Sequence, residues 1–252
     1  MKVQQSMAAK FGFLSKFEFL QDWASSLIAR VDPAIVHNLE KYHALRKVFY
    51  LSTIEDVEGD YLEFGVFTGS SFCHSIRCCK RLAKLNKKIV NTKFYGFDSF
   101  AGFGDLEEDE KHPFYTDENF TTSLPIVKRR VQRIASNDQF KLIAGFFGDT
   151  LKTGAISLGI KKSRIIFIDS DTYSSANEAL NFCIPTIQEG TFIVLDDYYS
   201  YRGSEKRGVT RAFNEFVTQS RIKVRQVFSY GMGGVVYVVS ERSESMIQID
   251  CA

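Results

Sequence analysis

Apolar positions along this chain follow two rhythms. In the stretch "SKFEFLQDWASSLIARV", Phe17, Leu20, Trp23, Leu27 and Val31 recur at three- and four-residue steps, which predicts an amphipathic helix. Asp32-Pro33 follows, an N-cap type before a proline at the first helical position, and predicts a second helix to about Glu55. Residues 1–56 therefore read as a helical N-terminal extension packed on a main body. From Tyr61 the pattern changes to short apolar runs: "YLEFGV", "KFYGFD", "FKLIAGFF", "RIIFID", "TFIVLD", "KVRQVF" and "GGVVYVV". Segments with helical spacing separate the first five; in "SSFCHSIRCCKRLAKL", Phe72, Ile76, Cys79 and Ala83 share a face. Strand–helix alternation predicts a parallel sheet covered on both faces. Only "SYGM" separates the last two runs, so they should form an antiparallel hairpin. The expectation is a doubly wound α/β domain over 57–240, with a polar tail over 241–252. One polar stretch, 100–120, is too long for an ordinary connection and leaves the carboxyl edge of the second strand, which reads as a lid.

Composition narrows the class. The chain has 252 residues, 44% hydrophobic and 14% aromatic, enough for a sizeable core. Its net charge of +2 implies no nucleic-acid partner. Five cysteines include no CxxC pair, so neither a disulfide framework nor a zinc site is indicated, and a reducing, cytoplasmic setting is expected. The first twenty residues lack an uninterrupted apolar segment, and no apolar run approaches the ~18 residues of a spanning helix. No membrane partner is expected.

Chemistry concentrates at the ends of the strands. "YLEFGVFTGSSF" runs from a strand through Gly65 and Gly69 into a helix starting near Ser70. The glycines let the backbone approach a ligand, and the helix start offers free N–H groups to an anion. The spacing is G-x-x-x-G rather than G-x-G-x-x-G, so a carboxylate suits it better than a pyrophosphate; the alternative is a turn that only packs strand on helix. Asp98, at the end of the second strand, is placed to accept from ribose hydroxyls, and Asp149 in "GDTL" from an adenine amino group. Either acidic residue also fits a helix N-cap.

The fourth and fifth runs each lead into acidic residues, Asp169 and Asp171 in one and Asp196 and Asp197 in the other. If those strands are neighbours, their tips lie about 4.8 Å apart. Carboxylates so close raise one another's pKa unless a cation neutralises them, and an all-oxygen set favours Mg²⁺ or another hard divalent ion. The alternative is a pair of solvent-facing caps and turns. Asp171 and Asp169 are candidate bases, with His112 in the lid a third; His74 reads as helix packing. Tyr173, Tyr198 and Arg202 are either acceptor contacts or rim residues.

Taken together, "GDYLEFGVFTGSSF", "FYGFDSFAGFG", "GDTL", "FIDSDTYSSANEALNFCIPTIQEGTFIVLDDYYSYRG" and "AFNEF" resemble the macrocin O-methyltransferase (TylF/MycF-type) family of class I S-adenosylmethionine-dependent methyltransferases, over about Glu55 to Val239. The resemblance implies a seven-stranded sheet of order 3-2-1-4-5-7-6 with the last strand antiparallel. It implies a Mg²⁺ site at Asp169, Asp196 and Asp197. It implies cofactor contacts from Glu63, Gly65, Val66, Phe67, Gly69, Ser70 and Ser71, from Asp98, Ser99 and Phe100, from Gly148 and Asp149, and from Asp169. The expected acceptor is a hydroxyl of a sugar or glycosylated small molecule, and the expected state a homo-oligomer. Three rival readings remain. An NAD(P)-dependent reductase lacks its third glycine and a Tyr-x-x-x-Lys dyad. A nucleic-acid methyltransferase would use the basic runs "RCCKRLAKLNKK" and "VKRRVQR", which carry no interleaved aromatics. A non-catalytic cofactor-binding module would have no use for the acidic cluster.

Overall fold

The computed structural model describes residues 17–115 and 120–242. The leader residues before 17, lid residues 116–119 and the tail from 243, with Cys251, lie outside the described residues. Two compact units divide the chain, 1–39 and 40–252. The first holds helix α1 (Glu18–Ile28) and the start of α2 (Pro33–Ile54). The Oδ1 of Asp32 accepts from the Ala34 N–H at 2.8 Å, as its N-cap position predicts. Trp23 and Leu27 of α1 are exposed.

The second unit is a seven-stranded sheet of order β3-β2-β1-β4-β5-β7-β6. The strands are β1 (Asp60–Phe64), β2 (Phe94–Asp98), β3 (Phe140–Ala144), β4 (Ser163–Ile168), β5 (Phe192–Leu195), β6 (Ile222–Tyr230) and β7 (Gly234–Arg242). The first five pair in parallel, and β7 lies antiparallel between β5 and β6. Order and direction match the expectation. The hairpin is tighter than the sequence predicts: Ser229 and Tyr230 join the ladder, leaving 231–233 as the turn. The third apolar run stops at Ala144, because Gly145 turns away with φ +135° and Phe147–Thr150 forms a helical turn.

Alternate residues of each central strand enter opposite cores, as a two-residue repeat dictates. In β4, Ile165 and Phe167 face a core that includes Phe72 and Ile76 of α3 (Ser70–Leu82), Val127 and Val131 of α4 (Leu124–Gln132), and Ala44, Leu45, Val48 and Phe49 of α2. Ile166 and Ile168 face the other core, with Leu180 of α5 (Tyr173–Cys183) and Phe213 and Phe216 of α6 (Gly208–Ser220). Burial on both faces explains why these strands read as unbroken apolar runs. Cys73, Cys78, Cys79 and Cys183 are buried free thiols. Among the described residues no helix is long and apolar enough to cross a membrane.

Phe97 ties this second core to the site-bearing strands. It is fully buried, stacked on Phe64 at 4.7 Å and edge-on to Phe182 at 5.2 Å. Phe97→Ala should lower unfolding free energy by roughly 3–5 kcal/mol, measured by urea denaturation.

Candidate active site

Parallel pairing continues one residue beyond the strand ends. Asp169 N–H donates to Phe64 O at 2.8 Å, Asp196 N–H to Ile168 O at 3.0 Å, Gly65 N–H to Phe97 O at 2.9 Å, and Gly145 N–H to Asp98 O at 3.0 Å. Asp98, Gly65, Asp169 and Asp196 thus stand in one row across four strands, at the point where the order of strands reverses around β1. Gly65 has φ +95°, and a Cβ there would lie 1.8 Å from Asp169 O. The turn is glycine because the β4 tip closes on it: the Asp169 carbonyl occupies the space a side chain would need. Gly69, at φ +74°, opens α3 with Ser70 and Ser71 in its first turn, and Arg130 Nη1 donates to Thr68 O at 2.9 Å.

Asp98 binds the two turns together. Its Oδ2 accepts from Phe67 N–H at 2.7 Å and its Oδ1 from Phe100 N–H at 2.6 Å. Both donors sit at positive φ, which only such anchoring sustains for bulky residues. The Val66 N–H also faces it, and since a carboxylate has about four acceptor positions, acceptor capacity remains for a ligand. Burial lifts its pKa, opposed by these backbone N–H groups. Val66 and Phe100 are buried, Phe67 is exposed, and Ser99 Oγ donates to Gly102 O at 2.6 Å.

Glu63 lies behind the turn. It is fully buried, accepts from Ser71 Oγ at 2.6 Å and from the Tyr61 hydroxyl, and braces the glycine bend from within. Burial raises its carboxyl to about 7, against those two donors. Asp149 is exposed and pairs with Lys152 at 3.3 Å; it follows Gly148 in the helical turn whose N-cap is Phe146, so it is not itself the cap.

Carboxylate oxygens of Asp169, Asp196 and Asp197 all lie within 4.8 Å of one another. They are not solvent-facing caps: Asp196 is buried, and Thr172 is the residue that caps α5. Four other side chains hold the cluster. Lys41 Nζ, from α2, sits 3.0 Å from Asp169 Oδ2 and 2.6 Å from Asp196 Oδ2. Tyr230 donates to Asp196 Oδ1 at 2.7 Å, and Tyr115 and Ser200 donate to Asp197 Oδ1 at 3.2 and 3.3 Å. Asp171, at φ +65°, hydrogen-bonds Asp197. Burial, then mutual repulsion, pushes Asp169, Asp171 and Asp197 above the ordinary carboxylate range. Burial alone would lower the Lys41 pKa, but Asp169 and Asp196 outweigh it and raise it well above the usual lysine range. One ammonium against four carboxyl groups leaves a surplus of negative charge, and the all-oxygen donor set suits a hard divalent ion.

The described part of the lid is docked over this cluster. Glu110 is buried and accepts from Ser174 N–H at 2.6 Å and Ser174 Oγ at 3.1 Å, at the start of α5. Tyr201 donates to Glu110 O, and Arg207 Nε to Asp109 O at 3.1 Å. The His112 ring lies against Tyr115, tilted by 31° with centroids 4.4 Å apart, and accepts from Phe114 N–H at its Nδ1. His74 stacks on Tyr42 at 4.9 Å, in the packing role its helix predicts. Tyr173 turns to Glu215 and Arg211, Tyr198 packs on Phe213 and Tyr237, and Arg202 is exposed.

Residues 22–230 match the macrocin-O-methyltransferase (TylF) family profile. The chain belongs to that family. It is 26% identical over 179 residues to the mycinamicin III 3''-O-methyltransferase of Micromonospora griseorubida, covering 66% of each protein. It is 25% identical over 185 residues to the 8-demethyl-8-(2,3-dimethoxy-alpha-L-rhamnosyl)-tetracenomycin-C 4'-O-methyltransferase of Streptomyces olivaceus, covering 68% of this chain and 66% of that one. The match thus spans just under two thirds of these relatives' length. The fold is similar to that of the O-methyltransferase NovP, with a TM-score of 0.65, 21% identity and 79% of each chain covered. The sheet order is that of class I methyltransferases.

Around the acidic cluster, sequence reading missed Lys41, Glu110, Tyr115, Ser200 and Tyr230. Lys41 left a signal: it falls on the same α2 stripe as the buried Ala44, Leu45 and Val48. Glu110, Tyr115 and Tyr230 left none, because their partners lie on remote segments; Ser200 reaches Asp197 only three residues away.

Two measurements probe the turn. Gly65→Ala should cost at least about 2 kcal/mol of stability, read by urea unfolding, since the Asp169 backbone has nowhere to move. Folding raises the Glu63 pKa from 4.5 to about 7, so its contribution is complete below about pH 4.5 and lost as pH rises through about 7. Thermal unfolding of Glu63→Gln, which cannot ionise, should therefore improve relative to wild type across that window.

Proposed function

We propose that the protein transfers a methyl group from S-adenosylmethionine to a hydroxyl of a sugar or glycosylated small molecule, with a divalent cation held by Asp169, Asp196 and Asp197. The observation that carries this reading is the row in which Gly65 separates Asp98 from those acidic strand tips. Family membership and the sugar-directed names of the relatives support it.

In this reading the first turn of α3 and the bend at Gly65–Ser71 receive the methionine carboxylate, where helix N–H groups point at an anion. Asp98 uses its remaining acceptor positions for the ribose. S-adenosylmethionine supplies an electrophilic methyl on a sulfonium, and Mg²⁺ bound at the cluster would lower the pKa of a hydroxyl beside it. Asp169 takes the hydroxyl proton: it neighbours Gly65 in the row, whereas Asp171 turns to Asp197. The lid, docked through Glu110 and Tyr115, excludes water and holds the reactants in line. The apolar exposed residues of α1 suit an assembly of several copies.

Asp169→Asn should bind S-adenosylhomocysteine with an affinity close to wild type and lose turnover by about 10²–10⁴-fold. Chelation of wild type should abolish turnover, and Mg²⁺ should restore it. Undiminished turnover in chelator would overturn the metal role. Absence of S-adenosylhomocysteine binding by calorimetry would overturn the reading as a whole.

A further inference from the structure

Lys41 is placed where an ammonium is expensive. The buried residues that next follow it on α2, Ala44, Leu45, Val48 and Phe49, are apolar, it is 9% exposed, and the Phe167 ring lies 5.9 Å from Nζ. Asp169 and Asp196 pair with it directly, each through Oδ2. Those two residues also belong to the carboxylate triad. The other oxygen of Asp196, Oδ1, already accepts from Tyr230. A divalent ion bound to Asp196 must therefore share an oxygen with the ammonium or with the phenol. At Oδ2, an ion about 2.1 Å from the oxygen would face the ammonium across a single atom, two cations in a buried site. A lysine is suited to yield, because its charge rides on a flexible four-carbon stem.

We propose that Lys41 is the resident counter-cation of the acidic cluster, which a divalent ion must displace, and that it thereby sets the affinity of the site. This rests on the metal role under Proposed function. With no ion bound, the ammonium keeps Asp169 and Asp196 together and stops them splaying apart. Loading is then an exchange of cations on oxygens already in position. The apparent affinity is the intrinsic one reduced by the fraction of molecules in which Lys41 has withdrawn.

Calorimetric titration of the full chain with MnCl₂ tests the exchange on wild type and Lys41→Met. The variant should bind Mn²⁺ at least about tenfold more tightly, corresponding to withdrawal of Lys41 in about a tenth or less of wild-type molecules. Its unloaded melting temperature should fall and be restored by Mn²⁺. Equal or weaker binding by Lys41→Met would overturn the proposal while leaving the metal role intact. No binding by either protein would overturn both. A measurement on wild type alone guards against a variant that fails to fold: reductive methylation read by mass spectrometry should label Lys41 more readily with Mg²⁺ present. Labelling unchanged by Mg²⁺ would overturn the exchange.

Discussion

The site depends on a parallel register that does not stop where the strands stop. Because the hydrogen-bond ladder runs one residue past β1, β4 and β5, the backbone of Asp169 is fixed against Phe64 and that of Asp196 against Ile168. Gly65 occupies the same row, and the Asp169 carbonyl stands where its side chain would be. Spacing between neighbouring strands then decides what the row can do. Two acidic tips on adjacent strands are close enough to share a cation. The bare glycine lets the Asp169 backbone close against the β1 tip, between that pair and Asp98.

Such a row would be unstable without compensation, and most of the surrounding polar groups supply it. Tyr230 and Tyr115 donate hydrogen bonds to the carboxylates, and Lys41 contributes a buried positive charge. Buried charges are tolerable only when paired and hydrogen-bonded, which explains why remote segments converge here. Lys41 comes from a helix before the first strand, Tyr115 from the lid and Tyr230 from the hairpin. Burial first, and repulsion between neighbours second, still hold Asp169, Asp171 and Asp197 above the ordinary carboxylate range.

Lid and cluster are one hydrogen-bonded system. Glu110 docks on the opening N–H of α5, where a negative charge meets the positive end of the helix dipole. Tyr115 then bonds Asp197, on the next strand, together with Ser200. The same β4-to-α5 connection therefore carries Asp169, Asp171 and the lid's anchor. Tyr115 is thus a direct hydrogen-bonded link between the acidic cluster and the lid.

The sequence by itself determined the sheet, the glycine turn and the acidic strand tips. Each is written locally: unbroken apolar runs for strands buried on both faces, glycine where a bend requires positive φ, aspartates directly after β4 and β5. Asp32 as the cap of α2 and the α3 stripe of Phe72, Ile76 and Cys79 were legible for the same reason. Only the tertiary structure decided what those residues do for one another. That Gly65 yields to Asp169 O, that Glu63 braces the turn from behind, and that Asp98 ties two loops together are contacts between strands distant in the chain. The cation of the cluster was only half legible. A lysine on an apolar stripe announces a buried charge, but its partners lie more than a hundred residues away, and no local pattern encodes a pairing made by packing α2 against the ends of β4 and β5.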